Sequence, residues 1–143
     1  MSEQGKQRNQ ERSDDGIRSV GKLDKDIYKV ITNDIVSENV IITDKQAEHI
    51  KDGHLKDYEW VMKNLNEVIR SPDYIMNDNH ANTGLVVKAI EDDKGIMQAA
   101  LRIKTSKDNP EYENSIISAW RISEKRLESY LRTKEVLYKA KKQ

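Results

Sequence analysis

Two β-strand patterns flank a polar loop in residues 96–122, and antiparallel pairing of two strands is the arrangement that this pattern predicts. Leu101 and Ile103 alternate with Arg102 and Lys104, and the side chains of a strand alternate between its two faces. The first strand is therefore expected to have one apolar face and one cationic face. The loop that follows contains the Asp-Asn-Pro sequence that is typical of a turn.

The second strand of this stretch also has two chemically distinct faces. Alternation places one set on the apolar face: Ile116, Trp120 and Ile122. It places the other set on the polar face: Ser115, Ile117, Ala119 and Arg121. Antiparallel pairing brings Lys104 near Ser115 and Arg102 near Ile117. The predicted polar surface then combines Arg102, Lys104, Thr105 or Ser106, Ser115 and Arg121. This surface is either an ordinary solvated sheet face or a place that binds an oxyanion or a phosphate.

The rest of the chain predicts an α+β protein with N-terminal helices packed on a four-stranded antiparallel sheet and a C-terminal helix. The four strands are expected at residues 73–78, 84–91, 96–105 and 114–122, with a tight DDKG turn before the third. The apolar spacing in residues 17–35 indicates a helix capped by Asp24, with a strand as the alternative.

Residues 36–71 predict a short β run followed by two helices. The run is Val40 to Ile42, and Thr43 or Asp44 caps the first helix, which is expected to stop at Gly53 in a left-handed conformation. The second helix carries an apolar stripe at residues 58–69. The C-terminal helix is expected to be capped by Ser123 and to have this apolar face: Leu127, Tyr130, Leu131, Leu137 and Tyr138.

Composition limits the classes of function. The formal net charge is zero, which argues against a protein that coats duplex nucleic acid but leaves room for a local basic site. The chain has no cysteine, and no apolar run approaches the roughly 20 residues of a membrane span. We therefore expect a cytoplasmic protein that does not enter a membrane. Residues 1–19 are expected to be a flexible polar leader, and residues 20–143 a single domain.

The candidate catalytic groups are histidines. His49 lies in the predicted helix and His54 just after it, about 140° apart if the helix continued, so the pair does not form a metal clamp. His80, in a predicted turn, is expected to be an exposed loop histidine. The sequence contains no metal-binding spacing, no nucleophile elbow and no phosphate-binding glycine loop, so we expect neither a metal nor a cofactor. Metal-free cleavage of RNA remains, because RNA supplies its own 2′-hydroxyl nucleophile.

Five segments in order resemble a phage and prophage nuclease family. They are GKLDKDIYKVI, VIITDKQAEHIKDGHLKDYE, SPDYIMND, LRIKTSKD and NSIISAWRISEKR, and together they cover about residues 20–138. The family is grouped with the metal-independent ribonucleases of the barnase, EndoU, colicin tRNase and RelE type. The resemblance implies the α+β fold given above and cleavage of RNA to a 2′,3′-cyclic phosphate. It implies these site residues: His49, His54, Arg102, Lys104, Thr105, Ser106, Ser115 and Trp120. One position departs from it, since Gly53 stands where relatives often carry a basic residue.

Three hypotheses follow. The first is a phage-type endoribonuclease, either a toxin or a factor for taking over the host, that acts in the host cytoplasm on RNA, with tRNA as a candidate substrate. Its catalytic residues would be His54, His49, Arg102, Lys104, Thr105 and Ser115. Its substrate-binding residues would be Ser106, Arg121 and Trp120. The second is a binding protein without catalysis, which grips a nucleotide or inhibits a host protein. The third is a structural phage protein. An antitoxin or a host protein is a candidate partner.

Overall fold

The computed structural model describes residues 16–91 and 95–141, which form a mixed seven-stranded β-sheet with four α-helices. The strands are β1 (Ile17–Lys22), β2 (Asn39–Thr43), β3 (Tyr74–Asn77), β4 (Thr83–Ile90), β5 (Gly95–Arg102), β6 (Asn114–Ile122) and β7 (Val136–Lys139). The helices are α1 (Lys25–Tyr28), α2 (Asp44–Gly53), α3 (Tyr58–Arg70) and α4 (Glu124–Thr133), and a 3₁₀ turn, Leu55–Asp57, joins α2 to α3. The predicted α+β class is confirmed. Most of the predicted leader and of the DDKG turn lies outside the described residues.

The sheet is wider than the sequence predicts. Its strand order is β1-β2-β6-β5-β4-β3-β7, in which β2 and β6 are parallel and all other neighbours are antiparallel. The predicted meander is present as β3 to β6. The prediction that the sheet has only four strands is wrong, because β1 and β2 extend one edge and β7 extends the other.

Hydrophobic periodicity does not predict the two outermost strands, β1 and β7, and the structure gives a physical reason for each. In β1 the register shifts between Ser19 and Gly21, and Gly21 has a φ of +148°, so apolar residues do not alternate strictly. At the other edge, the helix ends where the Lys134 N–H bonds to the Tyr130 carbonyl, and Lys134 is extended. The predicted helix through Tyr138 is therefore wrong, and Val136–Lys139 pairs with β3 instead.

The helices start and stop as their capping residues dictate. Thr43 accepts from the Gln46 N–H at 3.1 Å while the Gln46 side chain accepts from the Thr43 N–H, which is a complete capping box. Asp24 and Ser123 cap α1 and α4 as predicted. Gly53 is the last residue of α2 but does not have a positive φ, so the predicted left-handed stop is wrong. Within the described ranges, no helix has the length and apolar character needed to cross a bilayer.

The two faces of the sheet are packed against different elements and bury cores of different size. One face packs against α2 and α3 and holds the main core, whose largest members include Tyr28, Ile42, Ile69, Met97 and Leu101. The other face carries a smaller apolar cluster, built from Met76, Leu85, Val87, Ile96 and Ile122, onto which α4 places Leu127 and Tyr130. We call this second face the open face, because α2 and α3 do not cover it.

A bulge in β6 changes which of its residues share a face. The pairing of β5 with β6 shifts between Ala100 and Leu101, so that Ala100 lies opposite Ser118 but Leu101 lies opposite Ile116. Ile117 is the extra residue, and an extra residue reverses the alternation beyond it. Ile116 therefore joins Ala119 in the main core. The prediction that Ile116, Trp120 and Ile122 share one face is wrong for Ile116.

Candidate functional site

Three cross-strand rows of side chains form the centre of the open face. Residues directly opposite each other in antiparallel strands share a face, with Cβ atoms roughly 5 Å apart. From β4 through β5 to β6, the rows are Val87–Gln98–Trp120, Leu85–Ala100–Ser118 and Thr83–Arg102–Ser115. Arg102 is thus paired with Ser115. The prediction from the sequence that Arg102 lies near Ile117 is wrong. The bulge accounts for this difference, because it moves the register of the strand end.

A cavity of about 700 Å³ lies over these rows. Its floor includes Ala100, whose small side chain leaves room above the sheet, with Gln98 and Arg102 on the same strand. The segment before β4 contributes Asp78 and His80, and α4 contributes Tyr130 and Lys134. The cavity therefore combines cationic, hydroxyl, amide and aromatic groups on one surface.

His54 reaches this region through an aromatic contact. Its imidazole stacks on the indole of Trp120, with ring centroids 5.5 Å apart and planes inclined by 16°. Trp120 lines the cavity, whereas His54 is exposed and does not line it. His54 is the C-cap residue of α2, with its backbone N–H bonded to the Ile50 carbonyl. The helix end therefore holds this histidine at the edge of the open face.

Arg102 is held by a carboxylate in the following loop. Its two terminal nitrogens bond to Asp108 at 3.1 and 2.9 Å, and one of them also bonds to the Ile103 carbonyl. Asp108 also accepts from the Thr105 N–H at 2.8 Å. Hydrogen bonds from the Arg102 side chain and then from the Thr105 backbone lower the pKa of Asp108 to about 2. Arg102 therefore lines the cavity as a fixed, partly neutralised cation.

The neighbouring predicted residues build the loop and do not line the cavity. Thr105 is 5% exposed and its hydroxyl bonds to Asp108, so its role here is to hold the carboxylate that holds Arg102. The Lys104 ammonium donates to the Pro110 carbonyl at 2.9 Å. The Ser106 hydroxyl donates to Asp34 at 2.7 Å.

Arg121 lies apart from the predicted polar surface. Its guanidinium is 4.0 Å from the centroid of the Trp60 ring, and its Nε lies 3.6 Å from Asp57. Both partners belong to the segment that covers the other face of the sheet. The prediction that Arg121 and Arg102 share a surface is therefore wrong, for the same reason as the face assignment of Ile116. His49 is exposed on α2 and does not line the cavity.

The structure adds residues that sequence reasoning did not select. His80 is 84% exposed, as predicted for a loop histidine, but it lines the cavity, and its Nδ1 lies 3.6 Å from Asp78. Gln98, Tyr130 and Lys134 also line it. The alternation of β5 does predict the position of Gln98, because Gln98, Ala100 and Arg102 are alternate residues and therefore lie on the same face of the strand. No signal links Tyr130 to these strands, since that contact depends on where α4 packs.

In the part of the chain that the structure describes, no group of three or more His, Asp or Glu side chains is arranged to hold a metal ion.

Comparison with protein families gives one match. A family model described as phage-Barnase-EndoU-ColicinE5/D-RelE like nuclease2 matches residues 15–139. This range includes every described strand and helix of the sheet and the whole candidate site. No curated protein and no solved structure matches the chain.

Proposed function

The chain belongs to the phage-Barnase-EndoU-ColicinE5/D-RelE like nuclease 2 family, and we propose that it is an endoribonuclease that cleaves RNA without a metal ion. Membership of a nuclease family supports nucleic acid as the substrate. The finer proposal is that the protein acts in the host cytoplasm as a toxin or as a factor for host takeover, with tRNA as a candidate substrate.

One observation carries this proposal. The cavity on the open face combines a fixed arginine, Arg102, with a histidine, His80, and its wall residue Trp120 stacks on a second histidine, His54. Histidine transfers protons near neutral pH, and arginine binds phosphate through paired donors. These are the groups that cleavage of RNA requires from the protein.

The proposed reaction uses the ribose 2′-hydroxyl as nucleophile. Its oxygen attacks the adjacent phosphorus and its proton passes to a histidine acting as base, while the bond from phosphorus to the 5′-oxygen breaks. A second group protonates that oxygen, so the products are a 2′,3′-cyclic phosphate and a 5′-hydroxyl. We assign the two proton transfers to His54 and His80. Arg102 stabilises the charge that develops on the phosphate oxygens, with Ser115 beside it in the same row.

The first test is incubation of the purified protein with total RNA and with tRNA in the presence of EDTA. The expected result is cleavage that leaves cyclic phosphate ends and falls at least about a hundredfold in His54→Ala, because positioned proton transfer contributes roughly 10²–10⁴-fold. Arg102→Gln should also lose activity. Its matched control is Arg70→Gln, at an exposed position in the last turn of α3, which should cleave as the wild type does.

A second function is favoured by the partners of the two strand-end cations. Asp108 binds Arg102 through two hydrogen bonds, and the Pro110 carbonyl accepts from Lys104, so part of the predicted charge is already compensated within the protein. A site of this kind suits binding of a nucleotide or inhibition of a host protein without turnover. Saturable nucleotide binding by a folded sample that leaves every RNA intact would select this function over the ribonuclease.

A further inference from the structure

Gln98 is a buried polar residue at the cavity whose side-chain oxygen has no hydrogen-bond partner. It is 2% exposed, it lines the cavity, and its Oε1 is buried and accepts no hydrogen bond. Its cross-strand neighbours on the open face are Val87 and Trp120. The side chain of Val87 has no polar atom, so it cannot donate a hydrogen bond to the Oε1 atom of Gln98.

An unsatisfied amide of this kind is costly to a fold. A buried acceptor without a donor costs roughly 1–3 kcal/mol, and most buried polar atoms in proteins are paired. An apolar residue of similar length would fill the same place at lower cost. The position of Gln98 on a cavity surface, with its acceptor unpaired, therefore points to a hydrogen bond that is completed by a bound molecule.

The surroundings of Gln98 suit a flat ring. Trp120 is its direct neighbour in the row, Tyr130 lines the same cavity, and Ala100, two residues along β5, leaves open space between them. Stacking on aromatic side chains binds nucleobases without selecting among them. A volume of about 700 Å³ lies within the range of small-molecule sites, roughly 300–1,000 Å³.

We propose that Gln98 selects the base of the RNA substrate, and that the selected base is adenine. This inference rests on the proposed function, because it names the substrate preference of the same site. A neutral glutamine amide presents an acceptor beside a donor. When the side chain turns its amide into the cavity, it can accept from the adenine 6-amino group through Oε1 while Nε2 donates to N7, which is the bidentate pairing by which glutamine reads adenine. Arg102 lies two rows away from Gln98 on the same strand, and we place it on the phosphate side of the bound nucleotide.

The test measures binding of four ribonucleoside 3′-monophosphates to the full chain in EDTA, by calorimetry, without any need for cleavage. The adenine nucleotide is expected to bind about tenfold to a hundredfold more tightly than the other three, the discrimination that a bidentate base contact provides. A further purine nucleotide, which matches the adenine nucleotide except that it lacks the 6-amino group, should bind without this gain in affinity. Equal binding of all four nucleotides, or an unchanged affinity without the 6-amino group, overturns the proposal.

The variant Gln98→Met completes the test, because it keeps the length of the side chain and removes both polar atoms. It should bind the nucleotides with and without the 6-amino group equally, while its melting temperature is at least that of the wild type. A Gln98→Met protein that retains the adenine preference overturns the assignment. Should the variant fail to fold, the comparison of the two purine nucleotides on the wild-type protein still decides the question.

These outcomes separate the inference from the proposed function. Preferential binding of the adenine nucleotide without any RNA cleavage supports the role of Gln98 and contradicts the ribonuclease. Cleavage of RNA with no preference for adenine beside the cut supports the ribonuclease and contradicts the role of Gln98.

Discussion

The imidazole of His54 lies flat against the indole of Trp120, with their centroids 5.5 Å apart. His54 follows the last residue of α2, and Trp120 lies opposite Gln98 in the central row of the open face. The contact therefore ties the end of a helix on one side of the sheet to the cavity on the other. It also gives His54 two separable roles, since the ring can support Trp120 by stacking or transfer a proton through its nitrogens.

Substitution of His54 by phenylalanine separates these two roles. Phenylalanine retains a ring that can stack on Trp120 but has no titratable nitrogen. We expect His54→Phe to keep the stability of the wild-type protein and to lose RNA cleavage by about 10²–10⁴-fold, as His54→Ala does. Cleavage of a defined tRNA in EDTA and thermal unfolding monitored by fluorescence are the two measurements.

The control for this experiment is His49→Ala, which removes the other histidine of α2. His49 is exposed, does not line the cavity and, unlike His54, does not stack on Trp120, so this variant is expected to cleave RNA at close to the wild-type rate. A His54→Phe protein that remains fully active would show that the stack, and not proton transfer, is what His54 contributes. Loss of activity in His49→Ala alone would move the catalytic centre to the exposed face of α2.

Asp108 gives the fold an acid-sensitive contact. Its bonds from Arg102 and Thr105 lower its pKa to about 2, below the value of about 3.9 in an unfolded chain. A carboxyl whose pKa is lower in the folded state stabilises the fold above its unfolded pKa, and this contribution disappears as the pH falls through its folded pKa. We expect Asp108→Asn to lower the melting temperature at pH 7, and the difference from the wild type to shrink between about pH 4 and pH 2.

Thermal unfolding at a series of pH values measures this effect. Asp52→Asn, at an exposed position of α2, removes the same charge without the contact to Arg102 and is the matched control. A wild-type protein whose advantage over Asp108→Asn persists unchanged at pH 2 would contradict the assignment of this contact.

Local sequence patterns correctly predicted two helix caps, the bounds of one strand and the buried stripe of one helix. Thr43 and Ser123 cap their helices as expected, and β6 spans residues 114–122 as predicted. The helix stripe at Val61, Leu65, Val68 and Ile69 is buried. In each case the deciding contacts lie within a few residues of one another, so sequence spacing contains the information.

Apart from the left-handed stop at Gly53, the failures involve contacts that are distant in sequence. The bulge at Ile117 depends on how β6 pairs with β5, and it decides that Arg102 faces Ser115 while Arg121 faces Trp60. The anchoring of Arg102 by Asp108 is invisible in the alternation of β5. The cavity requires α4 and the loop at His80 to meet over the strands, and no spacing in the sequence encodes that meeting. The residue types of the site were therefore easier to predict than their grouping.

The hydroxyl of Tyr28 joins α1 to α3 inside the main core. Tyr28 is fully buried, and its Oη donates to the Ile69 carbonyl at 2.8 Å. Burial raises the pKa of Tyr28, so the hydroxyl remains a donor throughout the physiological range. Ile69 lies in the last turn of α3, where carbonyls lack partners within the helix. We expect Tyr28→Phe to cost about 1–3 kcal/mol of unfolding free energy, because it leaves a buried carbonyl unpaired.

Urea denaturation measures this cost. The matched control is Tyr112→Phe, because Tyr112 is 59% exposed and its substitution should change the free energy of unfolding by less than about 0.5 kcal/mol. Equal stabilities for Tyr28→Phe and the wild type would show that this hydrogen bond contributes nothing net to the fold.

The structure has room for a side chain at Gly53, the position where the resemblance implies a basic residue. A Cβ at Gly53 would meet no atom within 4 Å, and the residue is the last of α2, directly before His54. Replacing glycine in a helix stabilises it by up to about 1 kcal/mol, and a cation near a helix C-terminus adds about 0.3–1 kcal/mol. We expect Gly53→Arg to raise the melting temperature and to bind RNA more tightly. The salt dependence of RNA binding should steepen by about 0.7 log units per phosphate contacted, as for single strands. Gly53→Gln supplies the same helix propensity without charge, so equal RNA affinity and equal salt dependence for the two variants would show that no phosphate passes beside His54.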